Sequence, residues 1–490
     1  MYNIRLIIYF FLLASFCACQ QPLNRLPNIA NSTHKDLSIS SDDTTLVTVF
    51  QWASNTSKNY VGNDLDPVGP WYEAALPGRE AFCMRDISHQ CIGEEINNHG
   101  RQNLNMFTRF VENISEEKDF CTYWEISKDN LPASVDYEND EDFWYNLNAN
   151  FDLLDACYRL YLWTGNPQYV EDPRFFNFYR LTCGEYIKRW QLSADSIMYR
   201  EGIMNVRGDE NKKRFKGVRG LPSYEESVPN LKVTGDLLAS IFRGLNSYAS
   251  ILSLHGEKYE ASKIRRKAED YIQLYDSLWW NPKTKNYFAY CLDDGTFKEG
   301  GTNIFPLWFG FVHSPERIES IIRLMETKET NVEIMSYCPL LFYRYGKAEQ
   351  AYTFIQKLFQ NERCDYPEVS SALLESIVCG TAGLQVKADE NKIVTYPQLT
   401  KQTSWLAIEN IPVLTGKISL IHYSNYKTAI VNKTDKSFIW RAVFPGKLKQ
   451  ISESGRALKL FVQKDALGNV STYAEIICPV GEMIVLEGFN

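Results

Sequence analysis

Hydrophobic positions recur with a helical period from about residue 44 to residue 384, and loops rich in aromatic residues and carboxylates separate the helical stretches. The clearest helix is 143–164, which Gly165-Asn166-Pro167 ends. Further patterns predict helices at 173–191, 234–254, 257–279, 314–327, 346–361 and 369–380, a hairpin at 282–301 and an irregular segment at 192–232. Paired helices of this kind, without a strict sequence repeat, predict a mostly α protein built as an α/α toroid over residues 44–384.

The pattern changes after about residue 385. Short alternating runs at 417–422, 427–431, 437–444, 457–462 and 473–477 are separated by Gly, Asn and Asp. Runs of this length and spacing are typical of antiparallel sheets. We therefore expect residues 385–490 to form a C-terminal antiparallel β-sandwich domain.

The N-terminus has the pattern of an export signal. Arg5 precedes an apolar run at 6–16, which is too short for a membrane-spanning helix. A small residue before Cys19 resembles a bacterial lipobox, so Cys19 is the predicted lipidation site, with Cys17 second and an ordinary cleaved signal as the alternative. Residues 1–19 are then a lipoprotein signal peptide and the polar residues 20–43 a flexible tether. We expect an exported protein, an outer-membrane lipoprotein or a periplasmic one, that meets the membrane only through its lipid anchor.

Composition narrows the choice of partners. The chain has 490 residues, 44% of them hydrophobic, and a formal net charge of -8 with no Lys/Arg block, which argues against nucleic acid. Its 12 cysteines include no CxxC pair, so zinc spacing is absent, and we predict no metal and no cofactor. An aromatic fraction of 14% suits the stacking of sugar rings, and it equally suits helix packing.

Three loop regions carry the carboxylates that hydrolysis of a glycosidic bond requires. Arg85 and Asp86 follow the apolar residues Ala81-Phe82-Cys83-Met84, and such a pair offers donors and acceptors to sugar hydroxyls unless it is a structural ion pair or a helix cap. Glu225 and Glu226 are adjacent in the long loop, where repulsion can raise one pKa as a general acid needs, and simple exposure to solvent is the alternative interpretation. Glu368 precedes the last helix, whose dipole favours an ionised base, and a helix-capping glutamate is the alternative interpretation.

Other polar and aromatic residues are candidates for substrate binding. They lie near these loops or between the predicted helices, and core packing is the alternative role for each aromatic taken alone. They are His89, Gln90, Trp124, Asp136, Trp144, Tyr145, Asn146 and Tyr224.

The Arg-Asp pair, the acidic loop in mid-chain, the Tyr366-Pro367-Glu368-Val369-Ser370 segment and the trailing β domain together resemble the six-hairpin, (α/α)6-barrel glycosidase superfamily. The resemblance implies an (α/α)6 toroid, a glycoside hydrolase activity and an oligosaccharide or polysaccharide substrate. It also implies that Arg85 and Asp86 hold the sugar, that Glu225 or Glu226 is the acid, and that Glu368 is the base.

Two other classes remain open. A polysaccharide lyase on a similar toroid needs a Tyr or His that abstracts a proton and a cation that neutralises a uronate, roles open to His89, His99 and Arg79. A non-catalytic glycan-binding lipoprotein would keep the aromatic residues without two facing carboxylates. The convergence of Asp86, Glu225 or Glu226, and Glu368 in one cleft would separate these possibilities.

Overall fold

The computed structural model describes residues 35–200, 219–300, 304–328 and 330–490. The predicted signal peptide, Cys19 and most of the predicted tether lie outside the described residues. The helices are α1 Thr44–Asn59, α2 Met84–Ile96, α3 Gly100–Val111, α4 Ala149–Thr164, α5 Gln168–Glu171, α6 Pro173–Leu181, α7 Ile187–Arg189, α8 Gly235–Leu254, α9 Lys258–Leu278, α10 Phe305–Trp308, α11 Pro315–Thr327, α12 Val332–Arg344, α13 Ala348–Phe359 and α14 Pro367–Glu375.

Six helices form a closed inner ring. The ring runs α2, α4, α8, α10, α12 and α14, and α14 packs against α2 again. The outer layer consists of α1, α3, α6 with α7, α9, α11 and α13, each of which precedes its inner partner in the chain. This arrangement is the predicted (α/α)6 toroid, with an inner α10 of a single turn.

The helix predictions hold where one face of the helix meets solvent. Thr234 caps α8 by accepting a hydrogen bond from Leu237, and α9, α11 and α13 lie within their predicted ranges. Sequence periodicity does not single out α2, because nearly all of its residues are buried and no polar face interrupts the pattern. The predicted helix 143–164 starts six residues late, at Ala149, because short strands occupy its beginning.

The strands are β1 Ser38–Ser41, β2 Ala81–Cys83, β3 Glu125–Ser127, β4 Tyr137–Asn139, β5 Asp142–Phe143, β6 Tyr145–Asn146, β7 Arg219–Leu221, β8 Leu231–Thr234, β9 Trp280–Asn281, β10 Asn286–Tyr287, β11 Tyr290–Leu292, β12 Phe297–Lys298, β13 Gln385–Lys387, β14 Lys392–Thr395, β15 Leu406–Val413, β16 Gly416–Ser424, β17 Lys427–Lys433, β18 Phe438–Pro445, β19 Gln450–Glu453, β20 Arg456–Ala457, β21 Phe461–Lys464, β22 Val470–Cys478 and β23 Met483–Phe489.

Two sheets form the C-terminal sandwich. One has the order β1-β15-β16-β17-β23-β19-β20 and the other β13-β14-β18-β22-β21, and all of their pairs are antiparallel except β14 with β18. Both sheets contribute to the hydrophobic core, for example through Ile430 and Trp440. The toroid meets this domain where the Trp163 indole donates to the Pro412 carbonyl at 2.8 Å.

Two details of the β region differ from the sequence predictions. The predicted strand 457–462 is interrupted by the irregular residues 458–460 and is divided between β20 and β21. The predicted tether to residue 43 is too long, because Ser38–Ser41 pairs with β15 as an edge strand and Asp43 caps α1. No helix in the described ranges is long and apolar enough to cross a membrane.

Candidate active site

Arg85 and Asp86 occupy the first turn of α2, where β2 delivers the chain into the ring. The Arg85 Nε donates to Asp86 Oδ1 at 3.4 Å, and its Nη2 donates to Glu333 Oε2 at 3.2 Å. The guanidinium also lies over the Tyr224 ring, 5.5 Å from its centre. These three contacts fix the guanidinium, so that it can orient a ligand without much further loss of freedom.

Asp86 and Glu368 form a buried carboxyl pair across the contact between α2 and α14. They are 3% and 1% exposed, and among the described residues neither Glu368 oxygen meets a hydrogen-bond donor. Burial, followed by the charge of Asp86, raises the pKa of Glu368 well above its usual range, and burial also raises the pKa of Asp86 although Arg85 lowers it. Burial of the two carboxyl groups against each other therefore favours the protonated form of Glu368.

This pairing corrects one sequence inference. Glu368 does lie in the first turn of α14, as predicted. The helix dipole was expected to favour its ionised form, whereas burial beside Asp86 raises the pKa of this carboxyl group.

A second carboxyl pair, Glu125 with Asp136, lies on the β2–β3 side of the site. β3 pairs with β2 so that Glu125 is opposite Cys83, two residues before Arg85. Arg79 Nη1 lies 2.6 Å from Glu125 Oε2 and 3.7 Å from Asp136 Oδ2. Burial, a hydrogen bond with Asp136 and the charge of Asp136 raise the pKa of Glu125 to about 8, in spite of Arg79.

The loop with Glu225 and Glu226 is held by two buried aspartates on inner helices. The Tyr224 hydroxyl donates to Asp152 Oδ2 of α4 at 2.7 Å, and the Tyr224 amide donates to Asp236 Oδ2 of α8 at 2.8 Å. Burial raises the pKa of each aspartate to about 6, because these hydrogen bonds compensate only part of the desolvation. The loop thereby presents its two glutamates at a fixed place on the rim.

Both loop glutamates are half-buried and accept hydrogen bonds. Glu225 accepts from the Ser227 hydroxyl at 2.6 Å, and Glu226 accepts from the Asn146 amide at 3.5 Å.

These groups meet in one pocket of about 370 Å³ at the mouth of the toroid. It brings together six residues predicted for the site: Arg85, Asp86, Trp124, Tyr224, Glu225 and Glu226. Glu368 lies directly behind Asp86. The rest of the lining consists of Ala75, Leu76, Arg79, Cys83, Glu125, Ser227, Asn331, Glu333 and Tyr366.

Several predicted ligands of the substrate lie behind the pocket. His89 stacks on Tyr337 at 3.6 Å and bonds Ser336 at 2.9 Å, and burial lowers its pKa well below the usual range. Gln90 is 1% exposed in the interior of the ring. Trp144 and Tyr145 belong to the hydrophobic core, whereas Asn146 and Asp136 support the pocket through Glu226 and Glu125.

Two charged lining residues, Glu125 and Glu333, were not among the site residues predicted from the sequence. Glu333 follows the helix cap Asn331, which accepts from Ile334, so its sequence signal is that of an ordinary capped helix. Glu125 directly follows Trp124, yet only the pairing of β3 with β2 shows that it lies beside Asp86. Within the described ranges, no cluster of three or more His, Cys, Asp or Glu side chains is placed to hold a metal ion.

Comparison with known proteins finds similar structures but no similar sequences. No family model matches the sequence, and no curated protein sequence matches it significantly. A GH78-family rhamnosidase from Bacillus sp. GL1 aligns with a TM-score of 0.59 and 12% identity over 81% of this chain and 40% of that one. An α-L-rhamnosidase from Dictyoglumus thermophilum aligns with a TM-score of 0.60 and 10% identity over 93% of this chain and 51% of that one.

A human-microbiome protein assigned as a kojibiose phosphorylase gives a TM-score of 0.55 and 10% identity over 90% of this chain and 60% of that one. The chain thus spans about half the length of these structures. At such identities the likeness establishes the fold alone, an (α/α)6 toroid with a C-terminal β domain.

Proposed function

We propose that this protein is an exported glycoside hydrolase that cleaves a glycosidic bond with a carboxyl acid and a carboxylate base. The observation that supports the proposal most is the convergence of Asp86, Glu225 and Glu226 in one pocket, with Glu368 behind Asp86. Aromatic side chains of Trp124 and Tyr366 line the same pocket and suit the apolar face of a sugar ring. The names of the structural neighbours, rhamnosidases and a kojibiose phosphorylase, are consistent with a glycan-active enzyme.

The reaction divides between two carboxyl groups. A protonated carboxyl gives its proton to the glycosidic oxygen as the bond between that oxygen and the anomeric carbon breaks. A carboxylate takes a proton from the water whose oxygen attacks the anomeric carbon. We assign the base to the Asp86–Glu368 pair, with Glu368 as the base once it is ionised, and the loop glutamates Glu225 and Glu226 are the acid candidates of the sequence. Arg85 orients the sugar.

Phosphorolysis and elimination each need cationic groups that are free to meet an anion. Both arginines of the pocket are already engaged, since Arg79 pairs with Glu125 and Arg85 pairs with Glu333. His99 pairs with Glu94 at 2.6 Å, and the neutral His89 lies in the ring interior. The acidic pocket therefore favours hydrolysis over the lyase alternative and over phosphate as the acceptor.

Product analysis with the wild-type protein tests the proposal. A panel of aryl glycosides and oligosaccharides is incubated without phosphate, and released sugar is measured by chromatography. We expect a reducing sugar, and NMR of the first product should show inverted anomeric configuration because the base acts on water. An ultraviolet-absorbing unsaturated uronate would indicate a lyase, strict dependence on phosphate would indicate a phosphorylase, and binding without turnover would indicate a glycan-binding protein.

A further inference from the structure

Glu125 is placed to act directly on a substrate in the pocket. It lines the cavity together with Asp86 and Trp124, and the pairing of β3 with β2 holds its backbone opposite Cys83. Only 1% of its side chain is exposed, so bulk water has little access to the carboxyl group. Neither its sequence neighbourhood nor its type had marked it as part of the site.

The surroundings of Glu125 fix its carboxyl group and keep a proton on it. Arg79 binds Oε2 at 2.6 Å, whereas Oε1 meets no donor among the described residues. Asp136 lies against the same carboxyl from the 133–136 turn, and the charge of Asp86 acts from α2. Burial, followed by Asp136 and more weakly by Asp86, raises the pKa of Glu125, and Arg79 opposes only part of this effect.

The loop glutamates differ from Glu125 in being less buried. Glu225 and Glu226 are half-buried, and each accepts a hydrogen bond from a donor, Ser227 or Asn146. A general acid must instead enter the reaction protonated. Of the carboxyl groups that line the pocket, Glu125 best meets this requirement.

We propose that Glu125 donates the proton to the departing glycosidic oxygen, with Arg79 and Asp136 holding its carboxyl group in place. This inference rests on the proposed function and identifies the residue that serves as its general acid. The proton passes from Glu125 to the leaving oxygen as the bond to the anomeric carbon breaks and its electron pair moves to that oxygen. Water supplies the new oxygen and gives its proton to the Asp86–Glu368 pair, and Glu125 regains a proton from solvent.

Leaving-group dependence provides the test, because a good leaving group needs no proton. Glu125→Gln, Glu225→Gln and Glu226→Gln are compared with wild type on the phenyl and 2,4-dinitrophenyl glycosides of the sugar that wild type hydrolyses. We expect Glu125→Gln to lose about 10²- to 10⁴-fold in kcat/KM on the phenyl glycoside and less than about 10-fold on the dinitrophenyl glycoside. The alkaline limb of its pH profile should also disappear.

Asp136→Asn gives a second measurement that does not depend on the stability of Glu125→Gln. Loss of the neighbouring charge should move the alkaline limb of the pH profile to lower pH. Three outcomes would each overturn the assignment of Glu125 as the acid without affecting the proposed function. Glu125→Gln could lose the same activity on both glycosides, or a loop variant could show the leaving-group effect instead. The alkaline limb could also stay unmoved in Asp136→Asn. Absence of any glycoside turnover by wild type would overturn the proposed function and the assignment with it.

Discussion

At the scale of single residues, burial decides how the carboxyl groups of the site can act. Burial beside Asp86 raises the pKa of Glu368, so Glu368 becomes a base only as the pH rises through that raised pKa. Glu125, with a pKa of about 8, must keep its proton in order to act as an acid. We therefore expect kcat/KM to follow a bell-shaped pH dependence, with Glu368 on the acid limb and Glu125 on the alkaline limb.

Replacement of Glu368 by Gln keeps the shape of the side chain and removes its ability to accept a proton. We expect kcat to fall by about 10²- to 10⁴-fold while the affinity for the sugar product, measured by calorimetry, changes little. Glu316→Gln is the matched control, because Glu316 also follows a proline in the first turn of a helix but is exposed. Wild-type turnover in Glu368→Gln would remove Glu368 as the base.

Arg85→Ala should act on binding more than on the chemical step. The guanidinium contacts Asp86, Glu333 and the Tyr224 ring, and it is placed to hold sugar hydroxyls. Loss of hydrogen bonds from a charged group costs about 1.5–3 kcal/mol, so we expect KM to rise about 10- to 100-fold with a smaller change in kcat. Arg101→Ala, at an exposed ion pair with Asp64, is the control. A fall in kcat at unchanged KM would contradict the positioning role.

Residue types in the sequence predict only part of this site. Arg85 and Asp86 could be found because they are adjacent to each other and follow an apolar stretch. Glu125 could not be found in this way, since its proximity to Asp86 depends on the pairing of β3 with β2. The raised pKa of Glu368 could not be predicted from the sequence either, because it depends on burial against Asp86, 282 positions away along the chain.

At the scale of elements, the site depends on how closely α2 approaches α14. A Cβ atom at Gly93 of α2 would lie 2.2 Å from the backbone oxygen of Ser371 on α14, and backbone cannot move aside as a side chain can. This close approach sets the distance between the helices that carry Asp86 and Glu368. The sequence shows Gly93 but not this contact, because no local pattern distinguishes a packing glycine from any other.

Gly93→Ala should therefore separate the two helices. We expect a loss of about 1–3 kcal/mol in the free energy of unfolding, together with reduced kcat, because the Asp86–Glu368 pair is moved apart. Gly184→Ala is the matched control, since a Cβ there has no neighbour within 4 Å and the backbone φ is not in the left-handed region. Equal stability and activity in both variants, by urea unfolding and turnover, would show that the helices can adjust without cost.

At the scale of the whole molecule, the chain begins outside the described residues with a predicted lipid anchor. β1 fixes Ser38–Ser41 to the sandwich, so the residues between Cys19 and about position 37 would be the spacer to a membrane. We expect mass spectrometry of the mature protein to find a lipid on Cys19, and Cys19→Ala to release the protein from the membrane fraction. A mature chain that starts beyond Gln20 without lipid would exclude this anchor, and Cys17→Ala serves as the control.

The raised pKa values of buried carboxyl groups also determine how the stability of the protein depends on pH. Glu95 has its pKa raised by burial to about 7, and Asp152 and Asp236 have theirs raised to about 6. In the unfolded chain these groups titrate near about 4. The folded state therefore holds more protons than the unfolded state between about pH 4 and 7, and stability falls as the pH rises through this range. Asp155, whose pKa is lowered mainly by Arg243, acts in the opposite sense.

Glu95→Gln isolates one of these groups, because the glutamine oxygen can still accept the hydrogen bond that Asn103 donates to Glu95 Oε1 at 2.9 Å. The free energy of unfolding of wild type should decrease from pH 5 to pH 8. In Glu95→Gln this decrease should be smaller than in wild type, by about 3 kcal/mol at most, since each pKa unit corresponds to about 1.4 kcal/mol. Urea unfolding at four pH values measures this, with the exposed Glu116→Gln as control. A wild-type stability that rises over this range, or a Glu95→Gln profile parallel to wild type, would contradict this prediction. It would show that Glu95 is ionised in the folded protein and that other interactions offset the free-energy cost of burying its charge.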